Sequence, residues 1–186
     1  MALPFARDPS EPFTLGDLDA MPDDGHRWEL IDGSLIVSPA PPGAHQWCAG
    51  QLFGLLHEAC TPDTVVMPAP YDWRAAATGE SFQPDLTVIR RDDFDPDGPL
   101  RATPLLVAEV ISSGGETLDR VLKRARYEAL AVPAYWIVNP AGPSLTELRL
   151  AGGGYTEETI VTGGATFTTG YPFSVELIPR ALAWPG

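Results

Sequence analysis

From Leu105 to Val138 the chain reads strand, helix, strand. Leu105 to Ile111 is a nearly continuous apolar run broken by Glu109. Glu116 to Leu130 has a helical pattern, and Ala134 to Val138 is an aromatic-rich strand behind Pro133. A run without alternation marks a strand covered on both faces. Two such strands joined through a helix pair in parallel, with the crossover lying over one face of their sheet. Elsewhere, hairpin-type turn signals separate the strands. The expected class is therefore α/β (α+β), a mixed β-sheet flanked by two main helices.

The remaining elements follow from local signals. Thr14 caps a short helix from Leu15 to Met21, with Asp17 near its positive end. Asp32-Gly33 between Trp28–Ile31 and Ser34–Val37 predicts a hairpin. Cys48, Leu52, Leu55, Leu56 and Ala59 share one stripe of a helix spanning about 44–60. Strands are expected at 64–67, 71–74 and 85–90, and a meander at 145–150 and 155–161 around a Gly152–Gly154 loop. A last strand or short helix is expected near 173–182. Nothing marks a domain boundary, so all 186 residues are expected to form a single domain.

Composition excludes several classes. No apolar run reaches the ~18 residues of a membrane span, and no signal-peptide core precedes Phe13, so a soluble cytoplasmic protein is expected. Cys48 and Cys60 lie about 18 Å apart if both are on one helix, too far for a disulfide. A net charge of −13 argues against broad electrostatic binding to nucleic acid. Seven of the twelve basic residues nevertheless fall between Arg90 and Arg126, among eight acids from Asp85 to Asp119. That segment is either an ordinary mixed surface or a locally balanced one able to face phosphates. No glycine loop followed by Lys-Ser/Thr is present, which excludes a P-loop nucleotide site.

Three residues carry candidate chemistry. Asp85 follows Pro84 at a strand start, where a carboxylate can point into a cleft or simply serve the turn. Glu109 interrupts a buried strand, where a charge is costly unless it pairs with an arginine or binds a metal. Two carboxylates on adjacent strands are the hard oxygen donors that Mg²⁺ or Mn²⁺ prefers. Lys123 is the only lysine in a chain with eleven arginines. Its compact ammonium is not interchangeable with guanidinium. Asp119, Lys123 and Tyr127 share a helix face, so Lys123 either pairs with Asp119 at the surface or reaches over the sheet to Glu109. Gly114-Gly115 would permit the sharp turn that the second course requires. Glu29, just before the Asp-Gly turn, is a weaker candidate acid. His45, at a helix start, is either an ordinary exposed histidine or one that orients a phosphate or a metal-bound water.

The series Trp28-Glu29-Leu30-Ile31-Asp32-Gly33, Ser38-Pro39-Ala40 with His45, Pro84-Asp85-Leu86, Val107-Ala108-Glu109-Val110-Ile111-Ser112, Asp119 with Lys123 and Tyr127, and Tyr135-Trp136-Ile137-Val138-Asn139-Pro140 resembles the Uma-two family of restriction endonucleases. That family belongs to the PD-(D/E)XK nuclease superfamily. The resemblance covers roughly Phe13 to Leu150. It implies a restriction-endonuclease-like fold, Asp85 and Glu109 as catalytic metal ligands, Glu29 as a weaker third ligand, and Mg²⁺ or Mn²⁺ as cofactor. In the usual motif a lysine follows the second acid by two positions, but Ile111 stands there in this chain. The resemblance implies that Lys123, on the following helix, is the catalytic counterpart.

The function so implied is metal-dependent endonucleolytic hydrolysis of DNA, with a homodimer as the expected assembly and Trp73, Tyr171 or Trp184 as contact or core residues. The alternative is a catalytically inactive interaction or regulatory module on the same fold. No membrane partner is expected.

Overall fold

The computed structural model describes residue 8 and residues 11–22, 25–112 and 118–185. Helix α1 (Leu15–Asp19) begins with a reciprocal capping box: the Thr14 hydroxyl accepts from the Asp17 amide, and the Asp17 carboxylate accepts from the Thr14 amide. Strands β1 (Arg27–Ile31) and β2 (Ser34–Ser38) form the predicted hairpin. Both turn residues have positive φ, Asp32 at 48° and Gly33 at 68°, which matches the twist of the flanking strands. A Cβ on Gly33 would sit 2.7 Å from Pro12 Cβ, so this position needs glycine twice over.

Helix α2 (Gly43–Ala59) precedes β3 (Thr64–Pro68), β4 (Trp73–Ala75), β5 (Glu80–Phe82) and β6 (Leu86–Arg90). After β7 (Leu106–Val110), a π-helical stretch, Leu118–Lys123, runs into α3 (Arg124–Ala129). Strands β8 (Ala134–Asn139), β9 (Ser144–Ala151) and β10 (Gly154–Thr162) follow, then β11 (Phe167–Thr169), β12 (Val175–Leu177) and α4 (Pro179–Leu182).

The six-stranded central sheet runs β10-β9-β8-β7-β6-β3, and β7–β8 is its parallel pair, as the crossover required. β1, β2, β4 and β5 form a second sheet in the order β2-β1-β5-β4. β5 and β11 were not foreseen; each has three residues, too few to show periodicity. Cys60 stands just past the end of α2 as its C-cap residue, half-buried, while Cys48 is buried.

Every residue of β7 is buried. Leu106, Ala108 and Val110 pack with Cys48, Leu52 and Leu56 of α2 on one face. Val107 and Ile111 pack with Trp73, Phe82, Tyr127 and Tyr135 on the other. Glu109 alternates onto the second face, beneath α3. Trp73 belongs to this core at 1% exposure, which excludes it as a dimer contact; Trp184 is exposed. No helix among the described residues is long and apolar enough to cross a membrane.

Candidate active site

The central sheet brings the two expected acids together. β6 and β7 pair antiparallel, with Leu86 opposite Ala108, so the register carried one step further sets Asp85 opposite Glu109. Asp85 closes that end of the ladder with its side chain: Oδ2 accepts from the Val110 amide at 2.8 Å. Its backbone carbonyl accepts from the Ala69 amide.

Lys123 meets the acids from the helical segment that follows β7. Its Nζ lies 2.8 Å from Glu109 Oε1 and 3.2 Å from Glu29 Oε1. Glu29 Oε1 also accepts from the Gln83 amide at 2.9 Å. The Tyr127 hydroxyl donates to Glu109 Oε1 at 2.8 Å, so two donors one helical turn apart converge on a single carboxylate oxygen. Lys123 therefore faces inward at 1% exposure rather than lying at the surface. The side chain of Asp119 and the pair Gly114-Gly115 lie outside the described residues.

Asp85 has a different set of partners. Arg27 Nη1 meets Oδ1 at 2.9 Å, and His45 Nε2 meets Oδ2 at 3.0 Å. His45 is buried, which excludes the first of its two readings, an ordinary exposed histidine. Burial alone would raise the Asp85 carboxyl; the hydrogen bond and charge of His45, then Arg27 and the Val110 amide, outweigh it and hold the group at about 2. Burial lowers the Arg27 guanidinium, but Asp85, Glu109 and Glu29 more than reverse that and raise it. Burial first, and then Glu109, pushes the Tyr127 phenol well above its ordinary value, so it stays a hydrogen-bond donor.

Sequence reasoning missed Arg27 and the Tyr127 hydroxyl. Arg27 had a signal, since it lies two residues before Glu29 and so on the same side of β1. It also missed the supporting pair below α3, where Arg126 grips Glu80 with Nε at 2.9 Å and Nη2 at 2.8 Å. Glu80 Oε1 accepts from the Asp32 amide as well, which ties α3 to the β1–β2 turn.

Glu29, Asp85 and Glu109 offer only hard oxygen donors, the set suited to Mg²⁺ or Mn²⁺. Glu29 Oε2 is buried without a hydrogen-bond partner, a costly state for a carboxylate oxygen and one that a cation would relieve. Three carboxylates here share Lys123, Arg27 and one histidine. Among the described residues, no three His, Cys, Asp or Glu side chains are already gathered at metal-binding distance. The donor chemistry thus fits a divalent ion, with Lys123 filling the space between Glu109 and Glu29.

A cavity of about 390 Å³ opens beside this cluster, with Asp85 and Arg27 in its wall and Ser38, Pro39 and Gln83 around it. Glu29, Glu109 and Lys123 are buried and do not line it.

The sequence matches the family described as "Uma2: Putative restriction endonuclease" over residues 15–179. Among solved structures, a putative nuclease belonging to DUF820 from Anabaena variabilis superposes with a TM-score of 0.75 at 15% identity. The match covers 92% of this chain and 97% of that one, a likeness of fold. Among curated proteins, none matches the sequence closely enough to count as a relative. The matched span takes in both main sheets and every member of the acid–lysine cluster, and the chain belongs to the Uma2 family of restriction-endonuclease-like proteins.

Proposed function

We propose that this protein is a metal-dependent endonuclease that hydrolyses phosphodiester bonds of DNA. The observation that carries the reading is the buried Lys123 ammonium between Glu109 and Glu29, with Asp85 just before the strand that pairs with β7. A lysine brought to two acids from a separate helix fulfils the role that the family's usual motif gives to a lysine two positions after the second acid. The family description supports a nuclease.

Asp85 and Glu109 would hold Mg²⁺ or Mn²⁺, with Glu29 as a weaker third ligand. Once bound, such an ion lowers the pKa of a coordinated water and offsets charge developing on the phosphate. The chain's own residues prepare the ground for this. Tyr127 fixes one oxygen of Glu109 by its hydrogen bond. His45 and Arg27 keep Asp85 ionised and oriented. Lys123 supplies a fixed positive charge in a site with little water, where it acts strongly on a nearby phosphate oxygen. This reading also has the protein acting in the cytoplasm as a homodimer, since two-fold symmetry would set a pair of sites on one DNA.

Cleavage of several DNA forms with Mg²⁺ or Mn²⁺ tests the reading. Wild type should cut, while Asp85→Ala and Lys123→Ala should not. Activity that persists unchanged in both variants removes the assignment.

One observation favours a second reading, a catalytically inactive module: protein cations already partner the acids, and no three-ligand group is assembled among the described residues. Calorimetry with Mn²⁺ separates the two. Binding lost in Glu109→Ala supports the nuclease, and no binding supports the module.

A further inference from the structure

We infer that the cavity beside Asp85 takes one unpaired nucleotide, so that the substrate strand enters single-stranded or locally unpaired rather than as a closed double helix. This rests on the nuclease reading and deepens it to a substrate class.

Size is the first reason. At about 390 Å³ the cavity is near the lower end of the ~300–1,000 Å³ of small-ligand pockets. It is of a size to house one nucleotide, as in enzymes that take a single nucleotide out of the stack into a pocket.

The wall chemistry is the second reason. Pro39, Pro41 and Pro70 offer flat apolar surface to a base, while Ser38, Gln46 and Gln83 offer hydrogen bonds to its edge. Arg27 is 22% exposed and lines the cavity while its Nη1 holds Asp85. A guanidinium in that place can meet the nucleotide's phosphate and present it to the acid cluster.

The third reason is what lies outside. A more open hollow of about 540 Å³ adjoins the cavity, with Pro70 and Gln83 in the walls of both. Tyr71 and Phe94 stand in its wall with ring centroids 6.4 Å apart, the kind of surface on which successive unpaired bases stack. Asp72, Asp95 and Asp97 line the same hollow. Carboxylates there repel a rigid pair of phosphate backbones, and the chain as a whole carries a net charge of −13. A flexible single strand can hold its bases against the rings and turn its phosphates away.

Two measurements test this. Anisotropy of a short labelled single-stranded DNA and of its blunt duplex is measured in EDTA, followed by Mn²⁺ cleavage of both. The single strand should bind about tenfold or more tightly than the duplex. Ala49→Leu, which narrows the cavity, should weaken single-strand binding by a similar factor without changing duplex binding. Ala40→Leu, in the exposed part of the same wall, provides the same test should Ala49→Leu fail to fold. Equal affinity for the two DNAs, or single-strand binding untouched in a folded cavity variant, overturns the inference. Glu109-dependent cutting of the duplex in preference to the single strand also overturns it but leaves the nuclease reading standing. Cavity-dependent single-strand binding without Mn²⁺ cleavage upholds the subsite and removes the nuclease.

Discussion

The Lys123 ammonium lies 2.8 Å from Glu109 Oε1, and each side chain is only 2% exposed. Removing one member of a buried ion pair leaves the other's charge less compensated in a dehydrated place. Lys123→Met should therefore cost about 3–5 kcal/mol of unfolding free energy. Urea unfolding of Lys123→Met, Glu109→Gln and the double variant should show a double-variant loss well below the sum of the singles. Simple additivity would mean that the two side chains do not interact.

Asp85 should link stability to acid pH. Its carboxyl is held at about 2 in the fold, against an ordinary 3.8. The unfolded chain takes up that proton first, so the contribution is fully present above about pH 4 and disappears as pH falls through about 2. At 1.36 kcal/mol per unit this amounts to about 2 kcal/mol. Between those pH values the wild type should lose about that much more stability than Asp85→Asn. Parallel pH profiles would show that the partners of Asp85 do not depress it.

A divalent ion should stabilise the fold. Mn²⁺ at a hundredfold excess over its Kd should add about 2.7 kcal/mol, read as a rise in melting temperature. Glu109→Gln should abolish most of that rise, because it removes one of the proposed ligands. A rise of equal size in the variant would locate the ion elsewhere.

The Arg126–Glu80 pair anchors the helix that carries Lys123 and Tyr127. Glu80 is largely buried, and Arg126→Met deprives it of two donors at a cost of about 1–3 kcal/mol. Proposed cleavage should fall without vanishing, since Lys123 and Glu109 keep their own contact. Complete loss of cleavage in a folded Arg126→Met would give Arg126 a direct role in the site.

Gly33 should not tolerate a side chain. Its φ of 68° and the 2.7 Å approach to Pro12 Cβ predict that Gly33→Ala loses about 1–2 kcal/mol from the backbone conformation alone. Thermal melts measure this, and an unchanged melting temperature would mean that the hairpin shifts to relieve both strains.

The sequence carried the crossover, because the unbroken apolar character around Glu109 and from Ala134 marks strands buried on both faces, with a helical pattern between them. It also carried the hairpin at Asp32-Gly33, whose positive φ values are a property of those two residues. The short β5 and β11 are too brief to carry a pattern and exist through their pairing with β1 and β4, and with β12. His45 looked like an unremarkable helix start; only the packing of α2 against the end of β6 gave it Asp85 as a partner.

By itself the sequence determined which residues could form strands and helices, placed a costly carboxylate in a buried strand, and set Lys123 and Tyr127 on one helical stripe. Those are consequences of short-range sterics and periodicity. Which way that stripe faces, and that Lys123 meets both Glu109 and Glu29 rather than water, was decided only when two sheets and a helix packed together. A helical repeat defines neighbours along its own axis, whereas the partner across a core depends on the burial of every element at once.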